Sequence, residues 1–155
     1  MDLVSETSTL DATAAQYLSF SLAEGEYAVK ILHVREIRGI GPITPLPNAP
    51  HHLKGVMNLR GAIVPVVDLK LALGLPESDY DKFTVIIVLS VGGRTMGFVV
   101  DSVCDVVSLE PADIENTSDI ANGVDDDLID GIARAQERFI ILLDVERIAG
   151  VDAAA

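Results

Sequence analysis

Tryptophan is absent from this 155-residue chain, cysteine occurs once, and aromatic side chains make up only 5%. The single cysteine, Cys104, excludes an internal disulfide, and its presence as a lone thiol fits a reducing, cytoplasmic setting. His33, His51 and His52 are the only histidines, two of them adjacent, so no zinc-ligand spacing exists and no metal is expected. Phosphate loops of the GxGxxG or GxxxxGK[ST] type are missing, as is a GxSxG nucleophile elbow, and no cofactor is expected. The chain opens Met-Asp, without a basic leader or an apolar signal core. Although 49% of the residues are hydrophobic and mean hydropathy is +0.37, the longest apolar run, Thr84 to Val91, is strand-sized. It falls well short of the roughly 18 residues of a membrane span, so direct membrane insertion is not expected.

Cations are scarce too. Eleven Lys and Arg face 24 Asp and Glu, for a net charge of −13. Residues 101–155 hold 14 acidic and 3 basic side chains, and the field they make argues against nucleic acid. Between Lys30 and Arg60 the balance reverses to five cations against one anion. A mildly basic patch beside an acidic half suits protein partners chosen by charge complementarity.

What the chain has is a repeat. LKGVMNLRGAIVPVVDLKLALG, from Leu53 to Gly74, returns as IDGIARAQERFIILLDVERIAG. Gly55 falls on Gly131, 76 residues on, Ile63 on Phe139, and Val66-Val67-Asp68 on Leu142-Leu143-Asp144. Each copy reads as a strand, a tight turn, a second strand and a short helix. A second correspondence places Ala28 on Gly97, Val34 on Val103 and Glu36 on Asp105. Alternation predicts a strand pair from Gln16 to Ile31, a bend through His33–Ile37, and an edge strand plus loop across the glycines and prolines of 39–50. A strand from Phe83 to Val91 turns at Gly92-Gly93 into Thr95–Val100. Pro65 requires its strand to be an edge, or its missing N–H to sit where no pairing occurs.

Short strands at this spacing predict a mostly-β protein of two five-stranded barrels, since closure removes exposed edges. The expected division is a tail over 1–15, one domain over 16–150 and a tail over 151–155. Within the domain, the first barrel takes about 16–30 and 38–80 with C-terminal packing, the second about 82–148. A ligand groove is expected between them.

Few residues are candidates for chemistry. Asp68 and Asp144 stand at equivalent strand-to-helix junctions, where a carboxylate caps free N–H groups. The rival reading makes them the acid/base pair of a hydrolase, but neither is followed by Thr-Gly or Ser-Gly. The Asp125–Asp130 cluster lacks the spacing of a calcium loop. Cys104, flanked by apolar positions, reads as a small buried residue. Arg60 is different: it sits at a turn beside Gly61, and its counterpart is Gln136. It is either a solvated turn residue or a planar fork offered to a carboxylate, for which Glu36 is the internal candidate.

YAVKILHVREIRG, HHLKGVMNLRGAIVPVVDLKLALG and TVIIVLSVGGRTMGFVVDSVCDVVSLEP together resemble the CheW family of chemotaxis coupling proteins from Tyr17 to about Ile148, NLRG with PVVDL being the most specific part. The resemblance implies two intertwined SH3-like barrels, no catalytic activity, and a non-enzymatic adaptor that joins the cytoplasmic tips of chemoreceptors to the regulatory domain of the histidine kinase CheA. It implies a cytoplasmic location with recruitment to membrane-associated receptor arrays, where the protein can alternate in rings with the kinase's regulatory domain, and it leaves self-association in rings open. By position, Arg60, Val34, Glu36, Val85 and Val106 match the receptor-facing residues, and Gly55 matches a glycine needed for coupling. Ile40, Ile43 and Leu46 would meet the kinase domain, as would the stretch from Glu115 to Ile120. Glu115 stands where one form of the family has arginine, a difference bearing on that second contact. A CheW-like adaptor of a motility, development or second-messenger pathway is the neighbouring alternative.

Overall fold

The computed structural model describes residues 14–115 and 128–153. Eleven strands among these form two sheets. The hairpin of β1 (Ala15–Leu22) and β2 (Gly25–Lys30) leads through a 3-10 turn, Ile31–His33, into β3 (Val34–Gly39). β4 (Leu53–Leu59) and β5 (Ala62–Asp68) end in the one-turn helix α1 (Leu69–Ala72). β6 (Val85–Val91), β7 (Arg94–Val100) and β8 (Ser102–Leu109) follow, then the two-residue β9 (Ile114–Glu115). β10 (Ile129–Ala135), β11 (Arg138–Leu143) and α2 (Val145–Ala153) close the chain.

The strand order is β8-β1-β2-β11-β10-β9 in one sheet and β3-β6-β7-β5-β4 in the other. The expected division at about residue 80 is therefore not how the strands pair. The N-terminal hairpin joins the C-terminal one, and the middle of the chain makes its own sheet. Each sheet also receives one strand from the other half: β3 leaves the first hairpin to pair with β6, and β8 leaves the second to pair with β1. This exchange intertwines the subdomains. One sheet has five strands and the other six, the sixth being the short β9.

Both internal correspondences meet in the pairing. Val66 lies beside Gly97 in the parallel β5–β7 ladder, and Leu142 beside Ala28 in the parallel β11–β2 ladder, which are equivalent positions in the two halves. Even the irregularities repeat. Register shifts skip Lys54 and Asp130 in the two long hairpins, and Arg35 and Cys104 in the two exchanged strands. A bulge leaves one residue unpaired and turns it off the alternating pattern. That is why Cys104 is exposed rather than buried; partial desolvation, then the Glu26 carboxylate, pushes its thiol pKa up. Pro65 falls just before the β5–β7 ladder begins at Val66, so an interior strand tolerates it.

Where a groove was expected between the subdomains, a core lies instead. Leu18, Phe20, Leu22 and Val29 of one sheet pack in one cluster with Val67, Ile87, Leu89, Met96 and Phe98 of the other, together with Leu143 and Ile148. Burying each such side chain contributes roughly 1.5–3 kcal/mol, so neither sheet is expected to stand alone. Smaller clusters sit within each sheet, around Met57 and Val64 and around Ala133 and Ile140. A buried lysine paired with a half-buried aspartate reinforces the junction: Lys70 Nζ, on α1, lies 2.7 Å from Asp101 Oδ1, and Asp101 Oδ2 accepts from the Ala23 N–H at 2.8 Å. The C-terminal segment expected as a tail over 151–155 continues α2 as far as Ala153. Among the described residues no helix is long and apolar enough to cross a membrane.

Candidate functional site: a charged seam at a sheet opening

Arg60 takes the left-handed conformation, φ +51, at the turn between β4 and β5. Asn58 Oδ1 accepts from the Gly61 N–H at 2.8 Å and holds the turn closed. With the turn fixed, the Arg60 guanidinium projects away from the core and remains 69% exposed. Its partner is Glu36 on β3, whose carboxylate accepts from Arg60 Nη2. β3 is one edge of the five-stranded sheet, and β4 is the other. The ion pair therefore reaches from one edge strand to the turn that follows the other. The bulge at Arg35 sets the phase of β3 beyond it, including Glu36. Arg38 Nη1 stands 3.4 Å from the same carboxylate. Hydrogen bonding from Arg60 is the first cause that lowers the Glu36 pKa, and the same bond raises that of Arg60.

The other receptor-facing candidates are spread more widely. Val34 and Val85 sit at opposite ends of the β3–β6 ladder, half-buried against the shared core. Val106 lies in the other sheet, 48% exposed, opposite Leu18. Of these five residues, the structure brings Glu36 and Arg60 into contact and Val34 and Val85 onto one strand pair. Val106 stands apart, on the wall of a separate surface slot.

Among the kinase-facing candidates, Ile40 and Leu46 are 36% and 42% exposed, whereas Ile43 is half-buried against the Met57 cluster. Gly55 anchors this segment: Thr44 and Val56 exchange two backbone hydrogen bonds of 2.8 and 2.9 Å directly against it. Glu115, on β9, lies 3.6 Å from Arg134 Nη2. Ile120 lies outside the described residues, as do residues 1–13 of the expected N-terminal tail.

Asp68 and Asp144 are engaged as helix caps. Asp68 accepts from the Leu71 N–H at 3.3 Å and from the Tyr80 hydroxyl at 2.7 Å, and Asp144 accepts from the Arg147 N–H at 3.1 Å. Desolvation, and then the Asp68 hydrogen bond, raises the Tyr80 pKa. Sequence reasoning missed Tyr80, Lys70 and Asp101, since no spacing signals a polar cluster that one short helix and two connections bring together.

A duplicated two-sheet fold with a charged seam at one opening and exposed apolar side chains suits a protein-interaction scaffold. The comparisons with known proteins agree. The CheW-like domain family matches residues 16–152. The chemotaxis protein CheW of Klebsiella aerogenes is 39% identical over 138 residues, covering 89% of this chain and 83% of that protein. CheW of Rhizobium meliloti is 37% identical over 133 residues, covering 86% of each. The crystal structure of the scaffolding protein TtCheW from Thermoanaerobacter tengcongensis superposes with a TM-score of 0.79 at 32% identity, covering 84% of this chain and 88% of that one. This chain belongs to the CheW family, the scaffold proteins of bacterial chemotaxis.

Proposed function

We propose that this protein couples chemoreceptors to a histidine kinase of the CheA type by binding both at once, and is recruited through them to membrane-associated receptor arrays. The observation that carries the reading is Arg60: an arginine on a left-handed turn that Asn58 holds closed, its guanidinium oriented by Glu36 and most of its surface exposed. Packing does not call for it, and its fork of donors suits a carboxylate on a partner. Glu36 orients that fork, while Val34 and Val85 support β3 from the core side. Val106 supplies an apolar contact on the neighbouring sheet, of the kind a helical receptor tip would bury.

The kinase regulatory domain would meet Ile40 and Leu46, with Ile43 holding their segment to the core. Glu115 would contribute a second contact, its charge shared with Arg134. Because the shared core makes the two subdomains one body, a partner on one sheet is fixed in orientation relative to a partner on the other. Differential contact of a few kcal/mol in two kinase states is enough to bias them. Arg60→Ala tests this reading: the variant should melt like the wild type yet fail to give receptor-dependent kinase stimulation. Full stimulation by a well-folded Arg60→Ala protein would refute it.

A further inference from the structure

The internal duplication makes two crossovers between the sheets, one from β7 into β8 and one from β2 into β3, and they are fastened unequally. At the first, Asp101 acts as a clasp. Its Oδ1 lies 2.7 Å from Lys70 Nζ, its Oδ2 accepts from the Ala23 N–H at 2.8 Å, and its own N–H donates to the Ser21 carbonyl at 3.1 Å. Lys70 also donates to Ser78 Oγ. One residue thus ties the start of β8, the β1–β2 turn and α1 together.

The second crossover keeps the shape of the first without its clasp. The correspondence that puts Val34 on Val103 puts Leu32 on Asp101 and Gly92 on Ala23, and the longer repeat puts Glu146 on Lys70. Gly92 even has the backbone of Ala23, φ +57 against +55. Leu32, however, is 84% exposed and has no group that accepts a hydrogen bond, and Glu146 carries the opposite charge to Lys70. An open cavity of about 220 Å³ lies beside this crossover, lined in part by Lys30, His33 and Glu146. Further along β3, beyond the bulge at Arg35, the Arg60–Glu36 pair takes hold. Between β2 and that pair, residues 31–35 are held by the pairing of Val34 with Leu89 and by half-buried Ile31 and Val34 on the shared core. We infer that residues 31–35 form a strap that opens locally and uncovers Ile31 and Val34, while the clasped residues 100–104 stay shut. A segment with few buried contacts and few bonds opens at a fraction of the global cost. The surface it releases is apolar, so a partner that buries it shifts the population toward the open form.

Amide hydrogen exchange of the full-length protein, followed by mass spectrometry, tests this. Protection over residues 31–35 should be about tenfold lower than over 100–104, the scale of the charge-assisted bonds that Asp101 adds. Asp101→Asn keeps an acceptor for the Ala23 N–H but removes the charge facing Lys70, and should lower protection of 100–104 toward that of 31–35. Leu32→Asp combined with Glu146→Lys transplants the clasp, and should raise protection of 31–35 about tenfold. Equal protection of the two segments in the wild type, or an Asp101→Asn variant that leaves 100–104 as protected as before, would overturn the strap. So would a transplant that melts at or above the wild-type temperature with 31–35 no better protected.

Discussion

Gly55→Ala should destabilise the protein by about 3 kcal/mol, a large loss for one methyl group. A Cβ at this position would lie 2.0 Å from the carbonyl oxygen of Thr44, 2.6 Å from its carbonyl carbon and 2.9 Å from Pro45 Cα. All three are backbone atoms, so no side chain can rotate aside. Relief requires Thr44 to move, and that breaks its two hydrogen bonds to Val56, at about 1 kcal/mol each. A φ of +144 adds about 1 kcal/mol of backbone strain. Gly61→Ala is the internal control: its φ is +89, yet nothing lies within 4 Å of its added Cβ. It should lose only the strain, about 1 kcal/mol. Urea denaturation of both variants, with unchanged slopes, measures the difference. Equal losses would show that the approach of Thr44 does not constrain Gly55. The segment displaced by Gly55→Ala carries Ile40, Ile43 and Leu46, so kinase-domain affinity should fall with stability.

Three further perturbations test other parts of the account. Asp101→Ala leaves Lys70 buried without its carboxylate and should cost about 3 kcal/mol by thermal or urea melting, whereas Lys70→Met should cost less, because Asp101 keeps solvent and the Ala23 N–H; equal costs would argue against a buried pair. Asp144→Ala should lower stability by about 1 kcal/mol through the lost cap of α2, and an unchanged melting curve would refute that role. Because Arg60 depresses the Glu36 pKa below its ordinary 4.5, the pair's contribution is present above that value and fades as the pH falls through the depressed one. In an NMR titration Glu36 should therefore titrate low, and Arg60→Ala should move it upward; an unmoved Glu36 would show that Arg60 does not set it.

The repeat, both glycine turns and the strand-to-helix junctions were legible in the sequence because each is local. Gly92-Gly93 and Arg60-Gly61 announce turns by conformational need, and Asp68 and Asp144 stand where helices need caps. The exchange of β3 and β8 was not legible. His33–Ile37 read as a bend, whereas Val34–Gly39 is the strand β3, because bulges at Arg35 and at its counterpart Cys104 break the alternation by which a strand is recognised. Cys104 was misread for a related reason: a bulge opposite Ser19 and Phe20 breaks the period at that residue, and nothing in VCDVV marks it. The expected groove failed because the apolar residues of both sheets were assigned to separate barrels, when Phe20 and Phe98 share one cluster. At the site, Arg60 stood out as an arginine without a packing reason, and Glu36 was within reach of reasoning.

Simultaneous engagement of two partners is the central claim, and one measurement addresses it directly. The protein is titrated into a CheA regulatory domain, alone and in the presence of a saturating receptor cytoplasmic fragment, and the mass of the complex is followed by sedimentation. Coupling predicts binding to each partner separately and a ternary species when both are present, with Arg60→Ala losing the receptor arm alone. Mutually exclusive binding, in which receptor fragment displaces the kinase domain, would contradict it.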